Sequence, residues 1–120
     1  MKPGQALSAV ITVATDNQNS AEVDLLREFE YLQIIIPTIT AAIVQVKVAT
    51  ATAGTFNILN HLTPNATGHF TPGTTSGTGG LTAFVRLGGF RYIKIYTSAT
   101  QAANRTFTVR GIDRMADTQL

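Results

Sequence analysis

The chain has 120 residues, no cysteine, a net charge of +2, 44% hydrophobic residues and only 13% charged ones. The hydrophobic share excludes a disordered chain, and the missing cysteines exclude disulfides, thiolate metal sites and thiol catalysis. No apolar run approaches the ~20 residues of a membrane-crossing helix, and a chain of this length buries roughly two thirds of its unfolded surface, so a single domain over 1–120 is expected to fold without metal or disulfide staples.

Period-2 alternation dominates from the start and predicts strands throughout. After Met1-Lys2-Pro3-Gly4, too weakly basic and too interrupted by Ser8 and Thr12 for a signal segment, Leu7, Ala9, Ile11 and Val13 alternate with Ser8, Val10 and Thr12. A soluble chain made in the cytoplasm is the expectation. Asp16-Asn17-Gln18-Asn19 is a run of oxygen-bearing side chains without the offset bidentate Glu of a calcium loop, so an Asx-type turn is expected. Ala21, Val23 and Leu25 alternate with Glu22 and Asp24, placing both acids side by side on a solvated or salt-bridged outer face rather than in a catalytic carboxylate pair. Residues 29–36 are apolar or aromatic on both parities and predict an interior strand, ended by Pro37, which has no amide to give a ladder.

Val44, Val46 and Val48 predict the next strand, and a further one is expected near 55–60. His61 and His69 flank Pro64 and Gly68 and have no third ligand near them in sequence, so loop histidines are expected in place of a metal site. Residues 71–80, Thr-Pro-Gly-Thr-Thr-Ser-Gly-Thr-Gly-Gly, lack the lysine of a phosphate-binding loop and predict a flexible loop. Strands follow near 81–87, 91–97 and 105–112. The sum is an all-β domain, an antiparallel sandwich of about eight strands. Its predicted core is Ile11, Val13, Val23, Leu32, Ile34, Val46, Ile93, Ile95, Phe107 and Val109.

The same alternation selects a candidate site. With Leu81, Ala83, Val85 and Leu87 inward, Phe84 and Arg86 point outward. With Ile93 and Ile95 inward, Tyr92, Lys94 and Tyr96 point outward. With Phe107 and Val109 inward, Arg110 points outward. If these strands share a sheet, Phe84, Arg86, Tyr92, Lys94, Tyr96 and Arg110 form an aromatic–basic partner-binding face, of the kind that anchors proteins or stacks on sugars. No serine has a histidine and an acid in a familiar spacing, so an enzyme is not expected, and neither is a cofactor or metal. Charge is uneven: residues 1–60 carry three basic against five acidic side chains (−2), and residues 61–120 six against two (+4). This is too sparse for a nucleic-acid patch. With the low charge density it predicts self-association, most simply as a trimer.

The segments Ser20-Ala21-Glu22-Val23-Asp24-Leu25, Tyr31-Leu32-Gln33-Ile34-Ile35-Ile36-Pro37, Val44-Gln45-Val46-Lys47-Val48, Gly89-Phe90-Arg91-Tyr92-Ile93-Lys94-Ile95 and Ala103–Gly111 follow one another with a glycine-rich stretch before the fourth. This order resembles small β-sandwich structural proteins of tailed bacteriophages, with a jelly-roll or discoidin-like arrangement, of the capsid decoration (cement) type. The resemblance covers about residues 20–112. It implies a non-enzymatic virion protein on the outside of the capsid, with the major capsid protein as partner and no catalytic residues. A tail or baseplate adaptor and a carbohydrate-binding module are the alternatives. The absence of tryptophan sets the chain apart from many sugar-binding discoidin-like domains. Residues 1–6 and 113–120 fall outside the alternating pattern and are expected to be arms. These arms or the 71–80 loop, the N-terminal arm first, are expected to reach neighbouring molecules.

Overall fold

A computed structural model describes residues 4–59, 61–62, 69–70 and 73–113. The described residues contain no helix and seven strands: β1 (Leu7–Ile11), β2 (Val23–Ala49), β3 (Asn57–Ile58), β4 (His61–Leu62), β5 (His69–Phe70), β6 (Gly73–Thr97) and β7 (Arg105–Ile112). β4 and β5 pair as a separate ribbon with His61 opposite Phe70 and Leu62 opposite His69. The other five form one antiparallel, curled sheet resembling a half-barrel.

The expected count of about eight short strands is corrected because neighbouring segments fuse. β2 runs 27 residues and β6 runs 25, several times the ordinary ~5–6. They bend at bulges where the sequence suggested turns. Pro37 does not end its strand. β7 pairs with β2 only from Tyr31 to Ile35, so beyond Ile35 a proline on that side breaks no ladder bond to β7. The glycine-rich stretch is likewise corrected from loop to strand from Gly73 onward. Gly73, Thr74, Gly77 and Gly79 pair with Gln45, Val44, Ala42 and Thr38 across several register shifts. Gly79 has φ +85, and a Cβ there would meet the carbonyl oxygen of Pro37. Only glycine allows the two long strands to approach so closely at that bend.

Curling follows from the double pairing of β2 with β6. Residues Tyr31–Ile36 face Leu81–Arg86, whereas Gln45–Ala49 face Tyr92–Tyr96, and Ile93 pairs with Val48 on one side and Val23 on the other. One arm of the curl therefore has the order β1-β7-β2-β6. The second arm places the end of β6 between the start and the end of β2, with β3 beyond. Long strands that pass from one part of a sheet to another through bulges are how corners are made.

Between the arms lies one hydrophobic cluster. Every residue of the predicted core is buried in it except Val13. β1 stops at Ile11, and Val13 enters a turn whose amide donates to Asn104 Oδ1 at 3.0 Å. The predicted arms are partly tied to their own chain. Gly4 N donates to Gly111 O at 2.7 Å, and Asp113 receives both terminal nitrogens of Arg27, at 2.6 and 3.0 Å. Residues 1–3, 71–72 and 114–120 lie outside the described residues.

The corner of the curl carries a backbone outlier. Leu26 has φ +78 and stands between Asp24 and Phe29, where the register shifts; Gly88 and Gly89 on β6 have φ +76 and +91. Asp24 Oδ1 accepts the Leu26 amide at 2.8 Å and the Arg91 Nε at 2.7 Å, clamping the bend. A leucine in the left-handed region costs about 1–2 kcal/mol, which asparagine largely avoids. Leu26→Asn, which also removes an exposed apolar side chain, is expected to raise stability by about 1 kcal/mol. A urea midpoint that stays put or falls would show that the leucine has a packing role.

Candidate functional site

β6 carries five of the six candidate residues, and its bend at Gly88-Gly89 decides where they go. Phe84 and Arg86 precede the bend and lie on the outer face of the first arm. Arg110 joins them from β7: the register places Gln33 opposite both Phe84 and Arg110, and Tyr31 opposite Arg86. Tyr92, Lys94 and Tyr96 follow the bend and lie on the outer face of the second arm, against Ala49, Lys47 and Gln45. The single face expected if all these strands shared a flat sheet is thus two faces.

The first face is centred on a stacked pair. Tyr31 and Phe84 have ring centroids 5.3 Å apart and planes 17° from parallel, an arrangement worth about 0.5–1.5 kcal/mol beyond area burial. Phe84 is nevertheless 55% exposed, and Ile35 on the same face is 48% exposed. Leu81, expected inward, does pair with the buried Ile36 on the inner side but is 39% exposed there. Arg86 Nε donates to Glu30 at 3.2 Å. Arg110 is half-buried, and its Nε is buried without an acceptor among the described residues. A guanidinium nitrogen left unpaired this way needs an acceptor that the described chain does not provide.

Tyr31, Gln33 and Ile35 belong to this face although the sequence reading buried the whole 29–36 run. Leu32, Ile34 and Ile36 are indeed buried, while the opposite parity faces out. The polar Gln33 between Tyr31 and Ile35 was the available signal.

The second face is a set of cations lying on rings. Lys47 Nζ is 4.3 Å from the Tyr96 centroid, Lys94 Nζ is 4.8 Å from Phe56, and the Arg91 guanidinium is 5.2 Å from Tyr92. Beside it, the Asp16 carboxylate forms the expected Asx-type turn. It accepts the amides of Gln18 and Asn19 at 3.0 and 3.1 Å, and the Asn19 side-chain amide at 3.1 Å. The serines within hydrogen-bonding reach serve the scaffold. Ser20 Oγ accepts from Ile95 N and donates to Ala21 O, both at 2.9 Å, and Ser98 Oγ accepts from Ile43 N at 2.8 Å.

The neighbouring acids Glu22 and Asp24 are held by separate partners. Glu22 accepts the Thr52 hydroxyl at 2.6 Å and the Ala53 amide at 2.7 Å, and these bonds lower its pKa. Asp24 is lowered by the Arg91 guanidinium and the Leu26 amide. Partial burial opposes ionisation of Asp16, but the bonds from Gln18 and Asn19, with Lys47 nearby, outweigh it and lower its pKa as well. All three therefore bind protons less readily folded than unfolded. Their contribution is complete above the ordinary carboxylate range and is lost as pH falls below about 4. The urea midpoint is expected to drop from about pH 5 to pH 3, less steeply in a Glu22→Gln, Asp24→Asn double variant. A midpoint that is flat or rises on acidification contradicts these assignments.

Among the described residues, no group of three or more histidine, aspartate or glutamate side chains is placed to hold a metal ion. Comparison with protein-family models, with curated proteins and with solved structures finds no match to this chain in any of the three.

Proposed function

We propose that this chain is a non-enzymatic structural protein of a virion, a decoration protein that docks on the major capsid protein through the outer face of the first arm. The observation that carries the reading is the Tyr31–Phe84 stack, left open to solvent beside Ile35 and bordered by Arg86 and Arg110. Aromatic and arginine side chains clustered in this way are the usual anchors of protein interfaces. The order of strand segments, which resembles phage decoration proteins, supports the same reading. In finer architectural terms, the curl is a jelly-roll or discoidin-like sandwich whose two layers share the bent strands β2 and β6.

The mechanism is passive. A protein that binds only the assembled shell stabilises it by mass action, and a trimer multiplies the area gripped across neighbouring subunits. Co-sedimentation with capsids of the parent phage tests the docking face. Wild-type protein is expected to pellet with the capsids, and Phe84→Ala with Arg110→Ala to weaken binding at least tenfold without changing the sedimentation of free protein. Equal binding by wild type and variant removes the first arm from the interface, and failure of wild type to bind removes the capsid.

A further inference from the structure

The second arm holds a separate cluster that docking through the first does not use. Lys47 and Lys94 stand directly opposite each other on adjacent strands, where like charges repel. The ion pairs between described residues belong to Arg27, Arg86 and Arg91, and neither lysine shares in them. The lysines lie instead over Tyr96 and Phe56, with the Asp16 carboxylate within electrostatic reach of Lys47 and the Glu22 carboxylate within reach of Lys94.

Next to Lys94 opens a pocket of about 270 Å³ lined by Thr12, Thr15, Asp16, Asn19 and Ser20. This is just under the range of pockets for drug-sized ligands and has room for one small ring. Its wall is rich in acceptors. Asp16 carries a carboxylate, and Asn19 Oδ1 is buried with no donor among the described residues because its own Nδ2 is turned to Asp16 Oδ2. A buried acceptor without a partner is costly and calls for a donor.

The two halves of the cluster ask for different chemistry. The facing lysines, neither held in an ion pair among the described residues, can take a further negative charge, and the pocket calls for hydroxyl donors. A simple anion satisfies only the first, a neutral sugar only the second, and a metal ion at Asp16 is opposed by Lys94. We infer that the second arm binds an acidic monosaccharide unit, its carboxylate between Lys47 and Lys94 and its ring hydroxyls donating to Asp16 and, after a small rotation of its side chain, to Asn19. The flanking Tyr96 ring offers an apolar surface to the sugar.

The full chain, labelled with nitrogen-15, is titrated with glucuronate and with a short oligouronate, using glucose, acetate and inorganic phosphate as comparison probes. Saturable amide shifts confined to residues 12–21, 45–47 and 92–96 are expected for the uronates, with Lys47→Gln and Lys94→Gln each weakening binding about tenfold. Glucose and acetate are expected to give no saturable shift. The urea midpoint of each variant confirms folding, and if Lys94→Gln unfolds the chain, Lys47→Gln decides. The proposal is overturned if the uronates give no saturable shift, if the folded lysine variants bind like wild type, or if acetate or phosphate binds as tightly as glucuronate. Because the site lies on the other arm from the docking face, capsid co-sedimentation should be unaffected by Lys47→Gln.

Discussion

Replacing Phe107 by alanine is expected to destabilise the fold by about 3–5 kcal/mol. Its ring has no solvent exposure and is the largest fully buried side chain of the cluster between the arms. It sits on β7, between β1 and β2, with the small Ala9 opposite it. Whole domains are stable by only about 5–15 kcal/mol, so the variant would lie near the edge of folding. Phe107→Leu keeps most of the volume and is expected to cost less than half as much. Urea unfolding followed by circular dichroism checks both. A small loss for Phe107→Ala would mean that the arms close over the gap and that the curl is more pliable than its packing indicates.

A single added methyl is expected to act almost as strongly at Gly111. The Phe29 ring lies against the backbone of Gly4 and Gly111, where a Cβ on either glycine would collide with it. Its other side is covered by the Arg27 guanidinium, 4.2 Å from the ring centroid and fixed by Asp113. Gly111→Ala must push this buried ring out of place, and overpacking of this kind costs about 1–3 kcal/mol. The cause is separable. In a Phe29→Leu background the same substitution is expected to cost under about 0.5 kcal/mol, because residues in contact couple and independent ones add. Equal costs in both backgrounds would mean that Gly111 is needed for its backbone and not for the ring above it.

These contacts show which parts of the structure were legible in the chain. Alternation sorted Ile93 and Ile95 inward and Lys94 and Tyr96 outward without error, because the parity of a strand depends only on its own residues. Curvature depends on what each strand meets. Gly88-Gly89 read as a turn between two strands, but it is a bend within β6, since Phe90 and the residues after it continue to pair with β2. The glycine stretch before Leu81 read as a loop for want of side chains, yet its backbone finds partners in Thr38–Gln45.

Each outward residue was chosen correctly strand by strand, but whether Phe84 and Tyr96 share a face turns on the corner at Leu26 and Gly88-Gly89. Leu26 gives no local sign of its positive φ, because the Asp24 side chain and the Arg91 it holds come from positions that look like an ordinary polar edge. The exposure of Tyr31 and Ile35 was not legible because hydrophobicity alone does not distinguish a buried apolar residue from an exposed one.

The proposed docking of the first arm on a capsid is tested most directly by an electron-microscopy map of the parent particle at side-chain resolution. The account predicts this chain on the outer surface of the head, with Tyr31, Phe84 and Arg110 buried against the major capsid protein. Finding it in the tail or baseplate, or on the head with that face turned to solvent, would contradict it.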